Sequence, residues 1–286
     1  MATLRDVRRK IGSIRSTQTI TRTMRMISAS KLRRAQDELE RVNGYAVRME
    51  ELLRRMASRL PDAVSPLLSE REEIKRVLLF PIASDRGLCG AFNLNVAGAV
   101  ESFMEESRTK YEQIGVYLVG RKIRDYLRRR GIRAVKEWVD MKTMGLEMAG
   151  QAAADLTGLY LAGEFDKVYL IYTHFHSALK QEVRFEEFLP LKAPPSQEAI
   201  DYLYEPDVQS IVDRFIPHFL LTKTYFALVG SQTSENAARM AAMENATNNC
   251  GEMIDHLTLV YNKTRQQSIT NEMMDIVGGA EALQST

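Results

Sequence analysis

Few residues of this 286-residue chain have the types and spacing to do chemistry. SDRGLCGAFN (84–93) follows a strand-like run and opens a helix-like one. Doubly wound folds hold phosphate against backbone N–H groups at such a place. The stretch has Gly87 and Gly90 but neither G-x-G-x-x-G nor G-K-[ST], so a tight strand-to-helix turn is the better reading. His174 and His176 alternate along a strand pattern, which could aim both imidazoles at one metal ion. No third ligand lies nearby in sequence, so solvent-facing histidines are the better reading. His218 and His256 stand alone on helical patterns, and Cys89 and Cys250 are far apart without a CxxC motif, which fits a reducing compartment. No Ser/His/Asp set, carboxylate pair or nucleophilic lysine context stands out. We therefore expect no active site carried by this chain alone and assign no cofactor or metal.

The elements that hold these residues are set by apolar spacing. Alternate steps of three and four from Leu4 reach Val7, Ile11 and Ile14, then Gln18, Thr21, Arg25 and Ser28. The register resumes at Leu32, Ala35, Leu39, Val42, Ala46, Met49, Leu53, Met56 and Leu60. A second series runs Val212, Phe215, Phe219, Thr222, Phe226, Val229, Thr233, Asn236, Met240 and Met243. It continues through Thr247, Cys250, Ile254, Leu257 and Tyr261 before turning polar at Thr264 and Ser268. A 3.5-residue period keeps one seam facing a partner helix, and the economical partner for each segment is the other, antiparallel. Asn43-Gly44 predicts at most a bend, and Pro217 a possible kink.

Between the two series, residues 75–83, 114–120, 131–139 and 167–175 read as strands rich in Val, Ile and Tyr. Helical stretches lie near 90–110, 121–130 and 145–163. This alternation predicts a mostly parallel sheet covered on both faces, with 181–191 as an antiparallel edge. The expected organisation is a coiled-coil helix over 1–60, a globular α/β domain over 74–200, and a second coiled-coil helix over 206–286 pairing with the first.

Charge divides unevenly. Ten Lys or Arg side chains precede residue 35 against Asp6 alone, a formal +9 in a chain of +2 overall, leaving −7 for the remainder. Such an arm suits an acidic partner. Nucleic acid is one candidate, but no aromatic residue precedes Tyr45 and no recognition module is present. Other readings are the solvated back of a coiled coil or a cationic surface facing acidic protein loops. An Arg-rich start can mimic a transit peptide, yet the heptads run through it into the body, which reads as mature structure. No apolar run approaches a bilayer span.

Four stretches then acquire a common meaning. MRMISASKLRRAQ (24–36), SDRGLCGAFN (84–93), SENAARMAAMENAT (234–247) and YNKTRQQSITNEMMDIVGGAEAL (261–283) resemble successive hallmarks of gamma subunits of F-type ATP synthases. The resemblance covers essentially the whole chain, and Ile269, Thr270, Glu272, Asp275, Gly279 and Ala280 fit that family's terminal signature. It implies a long antiparallel coiled coil of N- and C-terminal helices with an inserted Rossmann-like α/β domain. It also implies a central rotor shaft, coupling ion-driven rotation of the membrane c-ring to conformational cycling of the catalytic beta subunits. The partners implied are alpha and beta subunits, an epsilon subunit and the c-ring, with no nucleic acid and no membrane insertion. The place implied is the cytoplasmic face of a bacterial inner membrane, held peripherally.

By the same resemblance, Met24, Arg25 and Lys31 match the face that meets acidic loops of beta. Arg265 and Gln266 match a catch on a beta subunit, and Ile276 and Val277 the part that reaches the ring's apolar bearing. Tyr202, Tyr204 and Glu205 match the foot on the c-ring. The redox-active cysteine segment of photosynthetic members is missing. A nucleotide-binding α/β protein with a coiled-coil dimerisation arm is the alternative. The polar lapse over 18–28 and the polar turn at Thr264 and Ser268 are expected to fall at the same end of the rod, where the helix pair loosens its seam and turns outward to the catalytic ring.

Overall fold

The computed structural model describes residues 3–57, 65–141, 144–192, 205 and 207–284, with side chains up to residue 280. Helix α1 (Leu4–Ala57) and helix α5 (Val208–Gln284) are continuous, and α5 accommodates Pro217. Helix α1 starts in a reciprocal cap: Asp6 N–H donates to Thr3 Oγ1 at 3.2 Å, and Thr3 N–H donates to Asp6 Oδ2 at 3.1 Å. These bonds satisfy donors that a first turn leaves orphaned. They also hold the Asp6 carboxyl below its usual range. No break occurs at Asn43-Gly44.

The heptad register is visible in burial. Every predicted seam position of α1 from Leu4 to Met56 is buried or half-buried, as is every one of α5 from Val212 to Thr264; Leu60 lies outside the described residues. Cross-helix bonds confirm the antiparallel sense. Tyr45 pairs with His218 at 2.7 Å and Tyr225 donates to Glu38 at 2.9 Å. Farther along, Arg25 meets Glu244 at 2.9 Å and Gln18 donates to the Thr247 carbonyl at 3.4 Å.

Between the helices lie β1 (Arg76–Pro81), α2 (Phe92–Glu106), β2 (Gln113–Val119), α3 (Arg121–Arg128), β3 (Lys136–Trp138), α4 (Leu146–Leu161), β4 (Lys167–Phe175) and β5 (Gln181–Leu189). The strand order is β3-β2-β1-β4-β5, parallel except for β5. Alternation along β1 separates two cores. Val77 and Leu79 pack under α2 and α3 with Val96, Val100, Ile123 and Leu127. Leu78, Phe80 and Ile82 pack with α4, the end of α1 and the first turns of α5. The run 131–139 yields only three paired residues in β3, because Gly131 turns the chain at φ 76° before pairing starts. Gly120 sits between β2 and α3 at φ 107°, and a Cβ there would meet the Ala83 carbonyl at 2.5 Å, so only glycine fits.

At the amino ends of the strands, Asp166 accepts from the main-chain N–H groups of Lys75 and Arg76 at 3.0 and 2.8 Å and from Arg71 at 2.7 Å. Burial pushes its carboxyl upward, but these bonds outweigh burial and hold it below the ordinary value. The chain separates into two compact units, residues 1–27 with 242–286, and residues 28–241.

Candidate functional site

In a doubly wound sheet the ligand crevice opens at the carboxyl ends of strands where the order reverses. Here that place lies between β1 and β4, since β2 and β3 follow on one side of β1 and β4 on the other. Helix α5 occupies it. The Ser231 hydroxyl donates to the Ile82 carbonyl just past β1 at 3.2 Å, and the Ser234 hydroxyl to the Thr173 carbonyl of β4 at 3.0 Å. Both serines are sealed from solvent.

The neighbouring loop, residues 84–93, spends its polar groups on itself and on adjacent elements. Ser84 N–H and Oγ both reach Asn93 Oδ1 at 3.0 Å, and Asn93 Nδ2 donates to the Arg86 carbonyl at 3.3 Å. Asp85 accepts from the N–H groups of Arg121 at 2.8 Å and Met141 at 2.9 Å, so a carboxylate already sits at the start of α3. Arg239 of α5 donates through Nε and Nη2 to the Gly87 carbonyl, both at 3.3 Å, and is held by Glu235 at 2.6 Å. Burial pushes the Glu235 carboxyl up and Arg239 opposes it. Burial likewise raises the thiol of Cys89, within this loop. The loop is a strand-to-helix turn clamped to α5, and its chemistry is that of a joint.

The polar lapse in α1 is a different kind of site. Thr21 and Ser28 remain buried, so the seam does not open there. Thr21 donates to the Gln18 carbonyl at 3.0 Å, and the Thr247 hydroxyl reaches Thr21 Oγ1 at 2.8 Å and the Met243 carbonyl at 2.7 Å. Hydroxyls that bond to helix carbonyls can be buried at small cost. The lapse therefore changes the chemistry of the seam and keeps its closure. Its bonds across the seam fall at Glu244 and Thr247, within the compact unit that also holds Thr264 and Ser268. That register brings Leu4 level with about residue 264, counting residue for residue along both helices, so later α5 residues have no α1 residue across from them. Residues 265–280 are exposed without interruption.

The remaining expected contact residues can be placed individually. Met24 is half-buried, between Ile20 and Ile27, which are exposed at 58% and 51%. Spacings of four and three put these side chains on one stripe, which tracing the seam alone had missed. Arg25 is committed to Glu244, and Lys31 is exposed. Arg265, Gln266, Ile276 and Val277 all lie on the exposed part of α5. Tyr202 and Tyr204 fall outside the described residues; Glu205 lines an open cavity of about 460 Å³ with Tyr45, Arg214 and His218. The His174 and His176 rings meet edge to face at 4.7 Å, and His176 pairs with Glu182 at 3.2 Å. Burial, with Arg184 nearby, lowers the His174 pKa. No group of three or more metal-ligating His, Cys, Asp or Glu side chains occurs among the described residues.

Two long helices paired antiparallel, with an inserted α/β domain whose ligand crevice is filled by one of them, define the class of protein. The chain matches the ATP synthase family over residues 3–283. The ATP synthase gamma chain of Syntrophobacter fumaroxidans (strain DSM 10017 / MPOB) is 40% identical over 290 residues, covering 99% of each chain. That of Anaeromyxobacter sp. (strain Fw109-5) is 42% identical over 290 residues, covering 99% of this chain and 100% of its own. Among solved structures, a chain of the Tetrahymena thermophila mitochondrial ATP synthase central stalk and c-ring is similar. It has a TM-score of 0.60 and 27% identity, over 79% of this chain and 99% of that one. The protein belongs to the ATP synthase gamma-chain family. It is a non-catalytic subunit with the role of central rotor shaft, and catalysis resides in beta subunits.

Proposed function

We propose that the exposed tail of α5 turns inside a ring of alternating alpha and beta subunits, while the α/β domain and the foot residues ride on the c-ring and an epsilon subunit. The observation that carries this reading is the overhang of α5. Ile269, Met273, Met274, Ile276 and Val277 are all exposed on its last turns. From residue 265 to 284 the helix is about 30 Å long. A single helix with apolar groups on its surface needs a sleeve, and Met adapts its shape to changing neighbours at low cost. Arg265 and Gln266 form a polar catch for a beta subunit, and Ile276 and Val277 enter the bearing.

On α1, the Ile20, Met24 and Ile27 stripe with Lys31 is the face offered to acidic loops of beta. The Arg25–Glu244 pair steadies the seam behind that stripe. Attraction between a cationic arm and acidic loops is long-ranged and survives a change of orientation. Glu205, with Tyr202 and Tyr204, forms the foot on the c-ring. The functional division is then shaft, residues 1–60 with 206–286, and hub, residues 74–200. Among the described residues no helix is long and apolar enough to cross a membrane. We place the chain peripherally on the cytoplasmic face of a bacterial membrane. Co-expression with alpha and beta subunits tests the partner set: a complex of fixed 3:3:1 stoichiometry supports it, and failure to copurify contradicts it.

A further inference from the structure

A rotor shaft must exchange torque with its hub, and four donors on α5 reach main-chain carbonyls of the α/β domain. Lys223 Nζ reaches Glu187 O of β5 at 2.8 Å, and Ser231 Oγ reaches Ile82 O at 3.2 Å. Ser234 Oγ reaches Thr173 O at 3.0 Å, and Arg239 reaches Gly87 O at 3.3 Å. We propose that this set is the clutch of the rotor, with Ser231 and Ser234 as the positioning residues that fix the angle between shaft and hub.

Three features support it. The acceptors belong to β5, β4 and the segments after β1, so the grip covers one side of the sheet from its β5 edge to β1, and a tangential load is shared by several main-chain carbonyls. The hydrophobic effect between helix and sheet is non-directional, whereas a hydrogen bond weakens steeply when misaligned. Finally, Ser231 and Ser234 lie outside the heptad register through Val229, Thr233 and Asn236, so pairing with α1 gives no reason for hydroxyls there. A serine hydroxyl sits on a one-carbon arm with a single heavy-atom rotor, a short and stiff tie. The exclusion of solvent at both serines, 2% and 0% exposed, keeps water from replacing the bond.

The inference rests on the rotor role, and its test separates the two. The complex assembled with alpha and beta subunits is fixed by its catalytic ring. A probe is attached at Leu179→Cys, a 95% exposed site in the turn between β4 and β5, in a Cys250→Ser background. The readout is the angular variance of the probe without nucleotide. Losing two of four parallel ties halves the stiffness, so Ser231→Ala with Ser234→Ala should raise the variance about two-fold. ATP turnover in solution should stay near that of the parent, while the melting temperature falls because two buried carbonyls lose a donor. Thr258→Ala, which removes a hydroxyl bonded only to its own helix, should leave the variance unchanged. Unchanged variance in the double variant, or a lowered melting temperature without increased variance, overturns the proposal. If the double variant assembles poorly, Lys223→Met must show a smaller increase, and none refutes the clutch. A parent probe that fails to turn under ATP refutes the rotor role instead.

Discussion

Replacing Thr21 and Thr247 together with Val tests what the polar stretch of the seam does. Each substitution exchanges a hydroxyl for a methyl of the same shape and keeps the β-branch. The pair loses the Thr247–Thr21 bond of 2.8 Å and the back-bonds to Gln18 and Met243 carbonyls, while those carbonyls keep their helical N–H partners. Removing both partners of a hydrogen bond is nearly neutral. Each methyl gains about 0.8 kcal/mol when fully buried. Thr21 is buried and Thr247 half-buried, so the sum is about 1 kcal/mol of added stability. Amide exchange reads this locally: protection over residues 15–27 and 242–255 should rise about five-fold. Exchange that accelerates in the double variant would refute the view that these hydroxyls lower seam stability. In the assembled enzyme we expect slower turnover, because a tighter seam gives less at the ring.

Further perturbations probe the other parts of the account. Asp166→Asn removes charge-assisted bonds worth about 1.5–3 kcal/mol each and should cost about 2–4 kcal/mol at pH 7 in urea titrations. The native Asp166 pKa is depressed, so its contribution is present above the unfolded value near 3.8 and lost as pH falls through the folded one. The gap between parent and variant must close below pH 3.8, and a gap independent of pH contradicts this. Thr173 Oγ1 is the one buried side-chain polar atom without a partner among the described residues, so Thr173→Val should raise the melting temperature slightly, and a fall would show an unseen partner. Met24→Lys should lower the ratio of transport to ATP turnover about three-fold by placing a charge among apolar side chains, with assembly retained. Preserved coupling counts against that face. Arg265→Ala with Gln266→Ala should change steady-state ATP turnover about three-fold, since anchor residues dominate such contacts; unchanged turnover removes the catch.

Much of the architecture is legible in residue spacing because burial here is periodic. The seam could be traced from Leu4 to Met56 and from Val212 to Thr264, through polar residues, since register depends on position more than on hydrophobicity. The strands were legible because both faces of the sheet are covered, which leaves runs such as RVLLFP apolar throughout. Two things were not. The stretch over 18–28 reads as an opening, because nothing in sequence says that Thr21 and Thr247 would satisfy each other. Residues 18–27 do fall in the same compact unit as Thr264 and Ser268, as an antiparallel pairing implies. The joint of Ser231, Ser234 and Arg239 was equally hidden. Its acceptors are carbonyls at Ile82, Thr173 and Gly87, far away in sequence and of no particular side-chain type. Hydroxyls at spacing three beside the seam were the only available signal.

The most direct test of the account is rotation itself. With alpha and beta subunits immobilised and a probe on Leu179→Cys, ATP should drive continuous one-way turning of the α/β domain. A probe that only fluctuates about a fixed angle while ATP is hydrolysed at the normal rate would contradict the assignment of this chain as the shaft.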